Sequence, residues 1–450
     1  MGAPEVVAVA GMNGRMRQKS IWMACASALL VSAPDAGAAA QGGVQTVSLT
    51  RAIELALIHS PQLAQTQASL INAGSSQRRA WGSFLPNISV SSGASVNSSS
   101  RFDPNTQRVV EGSRDSYDAG VSASYQIFQG GRKYHELSRS ASARMEAEAR
   151  FQSQRYSVVL QTTTLYINAL RQRDLVAVSE ASVTRADRSL ATSRTLFSLE
   201  SAKRSDTLRT RLELVNARQS LLQAQNQLRS AQFALGRQVG LDGPVAPEDV
   251  ADLAPAPLAL SEPQIIALAE SVSPAVRAAE AAALVARSSL GSARSSYLPS
   301  LSASSGYSWS NQDRSLTGGN TSWSLRLSGS YTLFDGFARE QSLGQATESQ
   351  RVARLTEEDA RRSVRQEVDA ALRTLETQKL AIAIAMEAQA VAVEDLRLNT
   401  VLYEAGGAAT ILDIITSQVA LDQAEANLVA ARYDYALARA ELESIVGREL

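Results

Sequence analysis

One cysteine and two histidines in 450 residues leave too few soft or imidazole ligands for a structural zinc site, and no thiol pair for redox chemistry. Lysine is nearly missing at four residues, and the 44 basic groups are matched by 44 acidic ones. Without a basic surplus there is nothing to hold a nucleic acid backbone, so no nucleic-acid partner is expected. Neither a nucleophile motif nor a pair of acids in one loop is found, and His59 and His135 have no catalytic company. The chain reads as a non-enzyme with no catalytic residue, cofactor or metal. Aromatics are 5%, whereas Ala, Ser, Leu, Gln, Arg and Glu dominate, a mixture suited to long helices. Beyond the first forty residues no run of 18 apolar residues exists, which excludes a membrane helix there. It does not exclude a membrane role, because a closed β-barrel also satisfies its backbone in lipid and carries a weaker sequence signal.

Residues 1–40 read as a signal peptide. Arg15, Arg17 and Lys19 precede an apolar run from Ile21 to Val31, and Ala38-Ala39-Ala40 offers a small-residue cleavage site before Gln41. The stretch ahead of Met12 and Met16 is long for such a leader, so translation is expected to start at one of those. Cys25 lies inside the apolar run and is not read as a lipidation site. Removing the leader leaves 41 basic and 42 acidic groups and no cysteine, which suits an oxidising compartment.

What the sequence does contain is a duplication. Pro61, Leu85-Pro86 and Ser92-Gly93 match Pro274, Leu298-Pro299 and Ser305-Gly306 at an offset of 213. Asp206, Leu214, Ala217, Ala224, Ala231, Leu235 and Gly240 match Asp413, Leu421, Ala424, Ala431, Ala438, Leu442 and Gly447 at an offset of 207. The offset changes between two strand candidates, which predicts a longer hairpin loop in the first copy. Pro244, Pro247, Pro255, Pro257 and Pro263 mark a linker over 241–263, separating a first repeat at 41–240 from a second at 264–450.

Each copy reads helix, strand pair, helix. From Arg132 to Leu235 there is neither Gly nor Pro, and after Pro299 there is no proline at all. Such lengths imply coiled-coil packing, and a helix of about 65 residues would be roughly 100 Å long. Strands are expected at about 86–100, 116–129, 299–311 and 321–334. In the second, Tyr117, Ala119, Val121, Ala123, Tyr125 and Ile127 alternate with Asp118, Gly120, Ser122, Ser124 and Gln126; in the fourth, Trp323, Leu325, Leu327, Gly329, Tyr331 and Leu333 alternate with Ser324, Arg326, Ser328, Ser330 and Thr332. Eleven to fourteen residues are enough for a tilted strand to cross a bilayer core, which takes about 9 to 11. Four strands cannot close a barrel, and an open edge is forbidden in lipid, so several chains must share one. Two chains would give an eight-stranded barrel filled by its own side chains; three give twelve strands, the smallest assembly with a bore. The loops at 101–116 and 312–320 would then point away from the helices. Trp81, Phe84, Tyr297, Trp309, Trp323 and Phe334 near strand ends could form an interfacial belt or pack in a core.

These residues resemble the TolC family of outer membrane factors, the trimeric channel-tunnels of efflux pumps and type I secretion systems. The likeness is carried by Leu49 to Pro61, by the Leu-Pro pairs at 85 and 298, and by Ile127-Phe128-Gln129-Gly130-Gly131 and Leu333-Phe334-Asp335-Gly336. Its most specific piece is Tyr403-Glu404-Ala405-Gly406 followed by Leu412-Asp413-Ile414-Ile415 and the helix to Gly447. The resemblance implies a mainly α fold with a β-barrel contribution: a homotrimer whose twelve-stranded outer-membrane barrel continues as a periplasmic α-helical barrel. It implies a periplasmic adaptor and an inner-membrane ABC or RND transporter as partners, with outer-membrane lipid around the strands and substrates passing without chemistry.

It also implies positions. Leu199, Glu200, Ser201, Ala405, Gly406 and Gly407 would form the periplasmic tips that meet the adaptor. Asp206 and Asp413 stand where the family narrows its entrance with acids, Tyr403 where neighbouring helices are held at the closed end, and Thr416 where some relatives carry a second acid. Glu200 and Ser201 replace a usual glycine. Asp206 and Asp413 could equally be first-turn helix acids, and the two roles can coexist. The absence of a lipobox slightly favours the secretion branch. The other reading is an exported coiled-coil or interaction protein without channel activity, which would leave four amphipathic strands of membrane-crossing length unexplained.

Overall fold

The computed structural model describes residues 45–105, 107–249, 258–312, 318–405 and 409–448. The expected leader at 1–40, Gly406 and Gly407 lie outside these. In chain order the elements are β1 (Gln45–Val47), α1 (Leu49–His59), α2 (Pro61–Gly82), β2 (Asn87–Asp103), β3 (Arg108–Gln129), α3 (Arg132–Ser198) and α4 (Arg204–Val239), then β4 (Val245–Pro247), α5 (Glu262–Val272), α6 (Pro274–Ser295), β5 (Ser300–Asn311), β6 (Asn320–Ser330), α7 (Ala338–Glu404) and α8 (Ile411–Val446). The two halves agree helix by helix: α1 and α5 have 11 residues, α2 and α6 22, α3 and α7 67, α4 and α8 36.

Local chemistry sets these boundaries. The Ser60 hydroxyl accepts from the Leu63 amide at 3.3 Å, and Pro61, which has no amide to satisfy, opens α2. Pro274 opens α6 in the same way. Gly240 and Gly447 end α4 and α8 in the left-handed region, at φ 74 and 75. The entry to α3 uses Gly130 and Gly131, both left-handed. At the entry to α7 the second of these positions is Phe337 at φ 69, a strained place for a side chain, with its ring edge-on to Phe334 at 5.6 Å.

Packing follows a seven-residue rhythm. Ala217, Ala224 and Ala231 on α4, and Ala424, Ala431 and Ala438 on α8, are all buried, so the helices approach closely along one seam. Leu235 and Leu442, the duplicated pair, are both 0% exposed and anchor the two largest cores. The predicted linker at 241–263 is partly structured. Val245–Pro247 pairs in parallel with Gln45–Val47, and the Tyr166 hydroxyl donates to the carbonyls of Val47 at 3.1 Å and Glu248 at 2.8 Å. Prolines do not prevent this, because the first strand residues can still pair on an edge.

The four long strands form one antiparallel sheet in the order β2-β3-β5-β6. Directly opposite residues share a face, and the register lines up Val90 with Val121, Val121 with Tyr307, and Tyr307 with Trp323. Ser89 with Ser122, Ser95 with Ser116, and Ser308 with Ser322 hydrogen-bond across the other face, each at 2.8 Å. Two strand limits differ from expectation. The ladder of the first hairpin runs out to Asp103 opposite Arg108, so most of the predicted loop at 101–116 is strand. Serines and asparagine at 97–100 give no apolar alternation, which hid the extension. Conversely β6 stops at Ser330, because the carbonyls of Thr332 and Leu333 are taken by the Arg339 guanidinium at 3.0 and 3.1 Å.

Candidate channel entrance and membrane face

Both long hairpins of helix turn at the same relative place. The α3–α4 turn spans Leu199 to Lys203, where Glu200 takes φ 60 in the left-handed role that glycine usually fills. Leu199, Glu200, Ser201 and Ala405 are all exposed. After each turn an acid occupies the third position of the next helix. The Asp206 carboxylate accepts from the Lys203 amide at 3.3 Å and from the Ser205 hydroxyl at 3.3 Å. The Asp413 carboxylate accepts from the Thr410 amide at 2.7 Å and the Thr410 hydroxyl at 2.8 Å, while the Asp413 amide donates back to that hydroxyl at 3.4 Å. These bonds hold the Asp413 carboxyl below its ordinary pKa. Cap and exposed charge therefore coexist in one side chain. Thr416 donates its hydroxyl to the Leu412 carbonyl at 2.8 Å and adds no charge.

The structure brings Tyr403 towards the first turn. Its hydroxyl is buried without a hydrogen-bond partner among the described residues. Burial, and secondarily the charge of Asp206, raise its pKa. Beside it a cleft of about 440 Å³ opens between α3, α7 and α8, lined by Arg185, Ser189, Tyr403, Ile411 and Gln418.

A polar ladder that sequence inspection missed joins α3 to α8. Arg171 meets Asp434 at 3.1 Å, the Tyr433 hydroxyl donates to Asp174 at 2.7 Å, and the Gln418 amide donates to Ser189 at 2.7 Å. At its centre Arg185 bridges Asp422 at 2.6 Å and Glu425 at 2.7 Å. Glu213 on α4 lies close enough that burial, then Asp422, raise its pKa. The partners are some 240 residues apart, and no local pattern in the sequence pairs them. By contrast, α3 meets α4 through apolar Ala186, Leu190, Leu214 and Ala217. Arg361 pairs with Glu357 of its own helix at 2.9 Å and also reaches Glu280 at 2.7 Å, and Arg365 reaches Glu270 at 2.6 Å, so α7 is tied to α6 and α5 in a similar way.

At the opposite end the apolar side of the sheet is bare: Trp323, Leu325 and Leu327 are 77%, 72% and 66% exposed. A contiguous apolar face of this kind on strands of 11 residues or more is what a lipid-facing band requires. The aromatics divide. Trp81 and Phe334 are exposed at the helix-side margin, whereas Phe84 sits between Trp81 and Tyr134 at 6.0 and 5.3 Å. Trp309 is half-buried, donating to the Gly318 carbonyl at 2.8 Å. Among the described residues no helix is long and apolar enough to cross a membrane, and no group of His, Cys, Asp and Glu could hold a metal.

The sequence matches the family described as Outer membrane efflux protein over residues 52–241 and 265–448. The chain belongs to that family. Among its relatives, Protein CyaE of Bordetella pertussis is 29% identical over 324 residues, covering 68% of this chain and 64% of that protein. The alkaline protease secretion protein AprF of Pseudomonas aeruginosa is 26% identical, covering 74% and 70%. Outer membrane protein TolC of Vibrio cholerae is 23% identical, covering 86% and 88%. Solved structures share the fold: the CmeC outer membrane channel of Campylobacter jejuni at TM-score 0.77 and 16% identity, covering 89% and 85%, and VceC of Vibrio cholerae at 0.76 and 18%, covering 89% and 96%. The family is one of transport channels rather than enzymes. Its members are trimeric, so three copies of β2-β3-β5-β6 make the twelve-stranded outer-membrane barrel, and the long helices continue it through the periplasm.

Proposed function

We propose that this outer membrane channel is the exit duct of a tripartite export machine, receiving polypeptides from a periplasmic adaptor and an inner-membrane ABC transporter and passing them out without chemistry. The reading rests on the kinship with AprF, whose name states protein secretion, on a fold that joins a lipid-facing sheet to 67-residue helices. The tips at Leu199 to Ser201 and Ala405 to Gly407 dock the adaptor. Asp413, with Asp206 beside Tyr403, narrows the entrance; three Asp413 carboxylates form an acidic ring that favours cations while it is closed.

The test is a chromosomal deletion, complemented or not, read in two ways: proteins in the culture supernatant and susceptibility to toxic compounds. Loss of specific supernatant proteins, with photo-crosslinking from Glu200 to a periplasmic protein, is the expected result. Unchanged supernatant with raised susceptibility would move the cargo to small molecules and the transporter to the RND type. A monomeric mass in detergent, with no defect of either kind, would leave the coiled-coil interaction protein as the better account.

A further inference from the structure

On β6 the side chains opposite Trp323, Leu325 and Leu327 are Ser322, Ser324, Arg326 and Ser328. Since the apolar face meets lipid, this face lines the bore. Arg326 is aligned with Ser304 of β5, Ser304 with Ser124 of β3, and Ser124 with Asn87 of β2, so its row across the sheet holds no carboxylate. Around the trimer β6 meets the β2 edge of the next copy, and the bore side of β2 presents Asn87, Ser89, Ser91, Gly93 and Ser95, again uncharged. The charged positions Arg101, Asp103, Arg108 and Arg114 follow the same alternation but all stand farther out than Asp118, the nearest charge to Arg326 on this face of the strands. Asp118 lies across Gly93 and is level with Ser310 and Asn320. From that level to Arg326 is six residues of β6, roughly 20 Å at about 3.4 Å per residue. The Debye length in physiological salt is about 8 Å, so Asp118 does not neutralise it.

We propose that the three Arg326 guanidiniums of the trimer form an anion-binding ring in the helix-side half of the barrel, which takes carboxylate groups of passing cargo. Among the described residues this arginine, on a field of serines, has no salt bridge to serve. It reaches into the bore with its planar donors free to pair bidentately with carboxylates. Three such groups round one bore reinforce one another's potential. The inference depends on the trimeric barrel and not on the class of cargo, so it stands or falls separately from the secretion reading.

Binding of fluorescein-labelled heptaglutamate to the purified trimer, followed by anisotropy in low salt, tests it. Arg326→Ser is expected to raise the dissociation constant about tenfold, Arg326→Lys to stay within about threefold of wild type, and the difference to vanish in high salt. Trimer content on semi-native gels checks assembly, with Arg326→Gln as the substitute if the serine variant does not assemble. Equal binding by wild type and the uncharged variant, or no salt-sensitive binding by wild type, would overturn the proposal.

Discussion

The Asp413 carboxylate is bonded to the amide and hydroxyl of Thr410, which favours its ionised form. A lowered pKa means that the charge, and the cap it supports, are present at neutral pH. Both are lost only as pH falls through a value below the ordinary aspartate pKa of about 3.9. In planar bilayers the cation preference of the channel should therefore persist on acidification to about pH 4 and collapse below it. Asp413→Asn should abolish the preference at every pH while the amide oxygen still accepts from Thr410. A cation preference unaltered in that variant would place the selective ring elsewhere. The sequence made Asp413 conspicuous by duplication with Asp206, whereas its partner Thr410 has no matching residue in the first copy and was singled out only by the structure.

Among elements, the contrast lies between mainly apolar seams within each helix hairpin, crossed by single polar contacts such as Ser193 with Thr210 and Asn399 with Ser417, and the charged ladder between α3 and α8. Arg185 compensates Asp422 and Glu425 there, with Glu213 adjacent. Removing the cation leaves a cluster of partly buried carboxylates. Arg185→Ala should cost on the order of 2 kcal/mol, between the values for exposed and fully buried pairs. The sign of its pH dependence follows from Glu213. A carboxyl whose pKa is raised favours the folded state at low pH and loses that contribution as pH rises through the raised pKa. Without Arg185 more carboxyls join it, so the variant's deficit in thermal stability should be larger at pH 8 than at pH 5. A pH-independent deficit would assign Arg185 a packing role through its stem instead. This interface was invisible in the sequence because surface-type residues at helical spacing look alike whether they meet water or one another.

For the whole molecule, the sheet has two sides with opposite tolerances. Leu325→Arg places a charge on the lipid face, at a cost of about 2–4 kcal/mol per copy near the bilayer midplane, and three copies share the barrel. Ser324→Arg, one residue earlier, points into the aqueous bore. The first should deplete the assembled trimer in outer-membrane fractions; the second should assemble at wild-type levels. Similar losses from both would contradict the assignment of faces. The exposed apolar face of a single copy is explained only at this scale, since four strands acquire their lipid boundary and lose their open edges through the other two copies.

The amino-acid sequence by itself determined the duplication, the two pairs of long helices and the alternation that gives each strand one lipid-compatible side, because these depend on local period, turn chemistry and the placing of glycine and proline. Their common family membership followed from the order of such signals, from Leu49-Thr50 through Gly130-Gly131 to Asp413 and Gly447. The tertiary structure decided what local pattern does not encode. It extended the first hairpin to Asp103, past Asn97 to Ser100, where every residue of the strand is polar and the period fades. It pinned residues 245–247 beside 45–47 through Tyr166, ended β6 where Arg339 captures the carbonyls, and isolated Arg326 in a row of uncharged residues. Each of these depends on which distant segment supplies the partner, and pairing across hundreds of residues is settled by packing rather than by the residues on either side.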